Sequence, residues 1–94
     1  MRKIYLNGKA MGSREEMHAH LRRRLKLPDY YGNNLDALYD CLTDKGEETE
    51  LIVRNTEALR KRAGSYGTKF LSVLVAATGS NPRLHVTFRN RFFR

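Results

Sequence analysis

The chain has 94 residues, room for one small domain and no second hydrophobic core. An apolar fraction of 40% excludes a disordered polyelectrolyte, and no apolar run approaches the roughly 20 residues of a membrane span. Eighteen Lys+Arg against ten Asp+Glu leave a net charge of +8, the footprint of a nucleic-acid binder unless those charges are segregated.

The start, Met1–Gly8, is basic but is followed by no apolar h-region, so no secretory leader is expected. Lys3–Leu6 is a short β-type run stopped by the turn signal Asn7-Gly8. Ser13-Arg14-Glu15-Glu16 has the spacing of a capping box and opens a helix running to about Leu25. Met17, Leu21 and Leu25 give that helix one apolar stripe. Leu27–Gly32 breaks it, and Asn33-Asn34 offers a cap for a second helix from about Leu35 to Thr43. Glu50–Arg54 reads as a second strand. Thr56–Arg62, capped by Thr56, reads as a short third helix. Tyr66–Thr78 is apolar nearly all round and predicts a fourth, largely buried one. Leu84, Val86 and Phe88 alternate with His85 and Thr87 as a third strand. Residues 89–94 read as a frayed tail in which Phe92 and Phe93 are free to dock.

Three strands separated by the long helical stretches 7–49 and 55–83 suit parallel pairing, because a hairpin needs only a few residues. The expected fold is therefore α/β: a small three-stranded parallel sheet packed with about four helices, in a single domain over residues 1–94. Cys41 is the only cysteine, so no intrachain disulfide forms, and no zinc-type cluster accompanies it. Neither a metal nor any other cofactor is expected, and the default setting is reducing and cytoplasmic. His18, His20 and His85 are tied to no Ser, Cys or Asp by a motif and read as solvated or packing residues.

The charges are indeed segregated. Residues 1–28 carry eight bases against two acids, and beyond Glu57 eight bases follow with no acid. Asp29–Glu50 reverses the balance, with seven acids facing Lys45 alone. At about 100° per residue, Asp36, Asp40 and Asp44 fall within about 80° of one another on the second helix, opposite a Leu35, Leu38 and Leu42 stripe. Their mutual repulsion costs roughly 0.2–0.5 kcal/mol per adjacent pair, and no Lys or Arg interleaves the row. A solvated face is the plain reading. A carboxylate ridge flanked by Tyr30, Tyr31 and Tyr39 and presented to a cationic partner is the functional one. Acid/base catalysis or metal binding by the paired carboxylates is disfavoured, since the row has no His ligand and no Gly-bearing calcium loop.

The run Leu27-Pro28-Asp29-Tyr30-Tyr31-Gly32-Asn33-Asn34-Leu35-Asp36-Ala37-Leu38-Tyr39-Asp40-Cys41-Leu42-Thr43 closely resembles the signature of the barstar family, small intracellular inhibitors of barnase-type ribonucleases. Ile4–Gly8 and the following helix match it in placement, whereas the second half of the chain matches only in strand–helix–strand outline. The resemblance implies a non-enzymatic inhibitor or immunity protein whose second helix and preceding loop plug a cationic ribonuclease or toxin active site. By position, Asp40 takes the place of a substrate phosphate, Asp36 pairs with a guanine-site Arg, and Tyr30 stacks on a catalytic imidazole. Asn34, Leu35 and Thr43 line the rim, Gly32 permits close backbone approach, and Tyr31, Tyr39 and Asp44 complete the partner-binding set. Two positions depart from the family pattern: Tyr39 stands where its best-known member has Trp, and Ala76 stands at the place of a peripheral acid. With the charge of +8, these departures point toward a target of lower net charge than barnase, or toward another toxin domain. The alternative class is a basic nucleic-acid-binding adaptor using Arg22–Lys26 and the Arg/Phe tail.

Overall fold

Ile4 and Leu6 on one strand, Leu51 and Val53 on the next, and Leu84 and Val86 on the third lie two residues apart and so share one face of a sheet. In the computed structural model, which describes residues 1–90, these strands are β1 (Arg2–Asn7), β2 (Thr49–Arg54) and β3 (Leu84–Phe88). They pair in parallel in the order β1-β2-β3, with Tyr5 opposite Ile52 and Ile52 opposite Thr87. The helices α1 (Arg14–Leu25), α2 (Leu35–Thr43) and α3 (Thr56–Ser80) all pack into the one core on that face. Among the described residues no helix is long and apolar enough to cross a membrane.

Local chemistry sets the element ends. Ser13 Oγ accepts from the Glu16 N–H at 3.1 Å, the first half of the expected capping box. Lys26 closes α1 in the left-handed conformation, and its N–H and that of Leu27 both reach Arg22 O. Asn34 Oδ1 accepts from the Ala37 N–H at 2.7 Å and opens α2 where expected. Three helical elements stand in place of about four, because the third and fourth expected helices abut at Gly64 and form one kinked element. Gly64 itself has φ 60° and ψ −135°, a conformation reserved for glycine, so the two expected segments survive as the arms of one kinked element.

Three further expectations need correction. The second arm of α3 is buried on one side only: Phe70, Leu71, Leu74 and Ala77 enter the core, while Val75 is 55% exposed. Thr56 does not cap α3. The cap position is Asn55, left-handed at φ 58°, and the Glu57 N–H is satisfied from afar by Asn90 Oδ1 at 3.1 Å. Residues 89 and 90 are accordingly not frayed. The Arg89 N–H donates to Val53 O, and Arg89 O accepts from the Thr56 N–H. The rest of the expected tail, residues 91–94 with Phe92 and Phe93, lies outside the described residues.

As an edge strand, β1 leaves a row of backbone groups with no strand beside them. Side chains from α1 satisfy two of those groups. Arg24 Nε donates to Tyr5 O at 3.0 Å, and the Asn7 N–H donates to His20 Nε2, also at 3.0 Å. A backbone N–H can only donate, so His20 Nε2 is the acceptor and the neutral ring carries its proton on Nδ1. Directly beyond, the turn after β1 meets the turn after β2. A Cβ on Gly8 would stand 2.2 Å from Asn55 O, which no side chain tolerates. Asn55 Nδ2 donates to Asn7 Oδ1 at 2.8 Å and fastens the two turns together.

His18 is the second buried imidazole. Its Nδ1 lies 2.7 Å from Tyr31 Oη and its Nε2 lies 2.6 Å from Tyr66 Oη, joining α1, the loop before α2 and α3. Burial holds both imidazoles below their ordinary proton affinity, with Arg14 adding to the effect at His18 and Arg23 and Arg24 at His20.

Two predictions follow from this packing. The unfolded chain takes up protons on both imidazoles near pH 6.5, whereas the folded chain resists them. Stability is therefore complete above that pH and is lost as the pH falls below it, because the unfolded state then binds more protons. The urea midpoint should drop between about pH 7 and pH 5, and His18→Gln with His20→Gln should flatten the slope. Separately, Gly8→Ala should cost about 1–3 kcal/mol by overpacking two backbone turns, read as a lower urea midpoint at unchanged m-value.

Candidate functional site

Two fully buried leucines, Leu38 and Leu42, hold α2 to the core, each contributing about 1.5–3 kcal/mol. That attachment fixes the helix's rotation and turns the row Asp36, Asp40 and Asp44 to solvent, where all three are exposed. Among the described residues the ion pairs are Arg2–Glu47 and His85–Glu48, and neither involves the row. Among the described residues the carboxylates thus have no ion-pair partner, in a chain with eighteen bases. Asp36, in the first turn, is favoured by the helix dipole; Asp44, at the carboxyl-terminal cap, is opposed by it.

The loop before α2 is built by two adjacent tyrosines that face opposite ways. Tyr30 is 88% exposed, a free aromatic surface next to the acidic row in sequence. Tyr31 is 4% exposed, which corrects the expectation that its side chain joins the presented aromatics. Its ring packs in the core, and its hydroxyl meets His18 Nδ1 and lies 3.5 Å from Asn34 O. Burial pushes the Tyr31 phenol well above its ordinary range, with Cys41 and Tyr66 adding to the effect and Arg22 opposing it, so it remains a neutral hydrogen-bonding group. Tyr31 therefore acts as the peg that seats the loop. Its sequence neighbour Tyr30 is left outside, and Asn34, the cap of α2, is held beside it.

The other expected residues gather around this peg and along the helix. Gly32 is exposed, and Asn34 Nδ2 donates to its carbonyl at 3.2 Å. A Cβ on Gly32 would approach that nitrogen to 3.1 Å, so a side chain here would crowd the cap. Asn34 and Leu35 are half-buried, Leu35 with its side chain against the core. Tyr39 is half-buried as well. Its ring leans on the core, and its hydroxyl bonds Ser80 Oγ at 2.5 Å, tying α2 to the end of α3. Thr43 returns its hydroxyl to Tyr39 O and Asp40 O. Cys41 is half-buried with a thiol raised by burial and by Asp40, which opposes a reactive thiolate. Ala76 is exposed on α3 and supplies no acid.

The residues that sequence reading missed are His18 and Tyr66, which seat the loop without belonging to it. A signal for His18 existed: it lies three residues before Leu21 and seven before Leu25, inside a widened apolar stripe. Tyr66 lies 48 positions from its partner and had no local signal. Among the described residues no group of three or more His, Cys, Asp or Glu side chains is arranged to hold a metal ion. What the face offers is a rigid row of acceptors with aromatic flanks, suited to charge-assisted hydrogen bonds from Arg, Lys or His of another molecule.

Comparison with known proteins identifies a family. Residues 1–92 match the family described as Barstar (barnase inhibitor). A protein of Bacillus subtilis (strain 168), named "Putative ribonuclease inhibitor YrdF", is 41% identical over 78 residues, covering 82% of this chain and 86% of that protein. The match takes in the sheet, all three helices and the acidic face together, and the chain belongs to the barstar family.

Proposed function

We propose that this protein is a cytoplasmic inhibitor, acting as an immunity protein, that blocks the active site of a barnase-type ribonuclease or related toxin. The observation that carries the reading is the row Asp36, Asp40 and Asp44, without an ion-pair partner among the described residues and held outward by the buried Leu38 and Leu42. A row of like charge with no internal counterion is locally unfavourable, and a cationic cleft turns that cost into binding. Asp40, at the centre of the row, stands in for the substrate phosphate. Asp36 pairs with an Arg of the base-recognition site, and Tyr30 stacks on a catalytic ring. Gly32, Asn34, Leu35, Tyr39, Thr43 and Asp44 form the surrounding rim. Tyr31 contributes from below by fixing the loop. The protein performs no catalysis of its own; it occupies a site where catalysis takes place.

The family relationship and the name of the Bacillus subtilis relative support a ribonuclease as target. The net charge of +8 favours one less basic than an acidic inhibitor would select, since only the α2 face attracts it.

Asp40→Ala should weaken the complex with the cognate nuclease by at least about 2 kcal/mol, while removal of the Arg22–Arg24 side chains should change it little; calorimetric titration reads both. The opposite pattern, a silent Asp40 and essential arginines, would select the nucleic-acid-binding alternative. Tyr39→Ala should lower affinity and cost some stability through the lost ring packing and Ser80 bond, yet leave a cooperative thermal transition. Loss of that transition would make Tyr39 a core residue.

A further inference from the structure

At the carboxyl ends of β1 and β2 the surface dips into a depression of about 360 Å³, walled by Tyr5, Asn7, Arg23, Arg24, Arg54 and Asn55. Among the described residues no carboxylate lines it, and three guanidinium groups do. We propose that this depression binds the phosphate group of an anionic ligand, with Arg23, Arg24 and Arg54 as its hydrogen-bond donors. The proposal is independent of the inhibitory reading, which uses α2.

The donors are available. Among the described residues none of these three arginines forms an ion pair, although the chain places exposed acids elsewhere. Arg24 spends its Nε on Tyr5 O, which anchors the side chain and leaves its terminal nitrogens to a ligand. Arg54 lies over the Tyr5 ring at 5.7 Å from its centroid, so its guanidinium is steadied by an aromatic face. Planar guanidinium forks match phosphate oxygens in pairs, and gathering three of them without a counterion raises the local potential. Burial chiefly, with Arg23 and Arg24 adding to it, holds the neighbouring His20 below its ordinary proton affinity.

The walls are also pre-organised. Asn55 Nδ2 bonds Asn7 Oδ1, which accepts the Lys9 N–H as well, and His20 holds the Asn7 N–H. Gly8 lets the two turns touch. A ligand would therefore meet a rim already ordered by the fold, at little further entropic cost. The volume falls within the small-ligand range of about 300–1,000 Å³, enough for a phosphate and part of the group it is attached to.

The phosphate has two possible sources, a free phosphate ester or the backbone of single-stranded RNA, and one titration separates them. Amide spectra of the full chain are recorded against inorganic phosphate, a mononucleotide and a short RNA oligonucleotide. Saturable shifts at Tyr5, Asn7 and Asn55 are expected. Arg23→Gln and Arg54→Gln should each weaken binding about tenfold, whereas Arg60→Gln, an exposed charge on α3, should not. Bound anion should also raise the His20 titration midpoint, because it offsets Arg23 and Arg24. An oligonucleotide that binds more tightly than the mononucleotide, and loses affinity with salt, identifies the RNA backbone as the source. Equal affinities identify a free ester. Unsaturable shifts scattered over all basic residues, or an Arg60→Gln loss equal to that of Arg54→Gln, would overturn the proposal.

Discussion

A neutral imidazole between two phenols determines how this small fold presents its surface. In neutral His18 one ring nitrogen donates and the other accepts, so Tyr31 and Tyr66 must take complementary roles around it. A short polar contact of this kind contributes about 1 kcal/mol per bond, less than the leucines around it. Its value is geometric. Apolar packing alone would leave the loop before α2 free to settle in several ways, whereas a two-sided hydrogen bond accepts one. The same loop ends in Asn34, which caps α2 and sets the start of the acidic row. Three segments distant in sequence thus agree on where a single helix begins.

The charge distribution works on two length scales. Beyond a Debye length of about 8–10 Å a partner meets a basic object, and a cationic one is repelled. Within that distance, at α2, it meets three carboxylates and an exposed tyrosine. Affinity for such a partner depends more on slow dissociation, from well-made close contacts, than on fast electrostatic capture. Under the proposed inhibitory reading, this places more weight on the fixed orientation of Asp36, Asp40 and Tyr39 than on the charge of the whole surface.

Most of the architecture was legible because it rests on local chemistry. Asn34 and the leucine stripe delimit α2, Ser13 opens α1, and strict alternation marks β3. The break between Thr56–Arg62 and Tyr66–Thr78 was legible, although whether it would separate two helices or bend one was not. The features that escaped are long-range. Asn90 caps α3 across 33 positions, and nothing in Arg89-Asn90 distinguishes a clasp from a loose end. Tyr30 and Tyr31 are identical residues in a loop without periodicity, so only the partner waiting in the core decides which one turns inward. At the acidic face the row itself was readable from helical spacing, while the support beneath it was not.

The parallel sheet has a kinetic consequence. No two of its strands can meet as a hairpin: Arg2 pairs with Thr49, and Thr49 with Leu84. Every ladder bond between strands closes a long loop, and the entropy of closing it is lost before the contact repays it. During synthesis β1 emerges with no mate until β2 has followed it, and β2, which becomes the central strand, then waits for β3 to cover its second edge. A nascent chain of this design spends that interval with open strand edges and depends on its helices, which need only local contacts, to shield them.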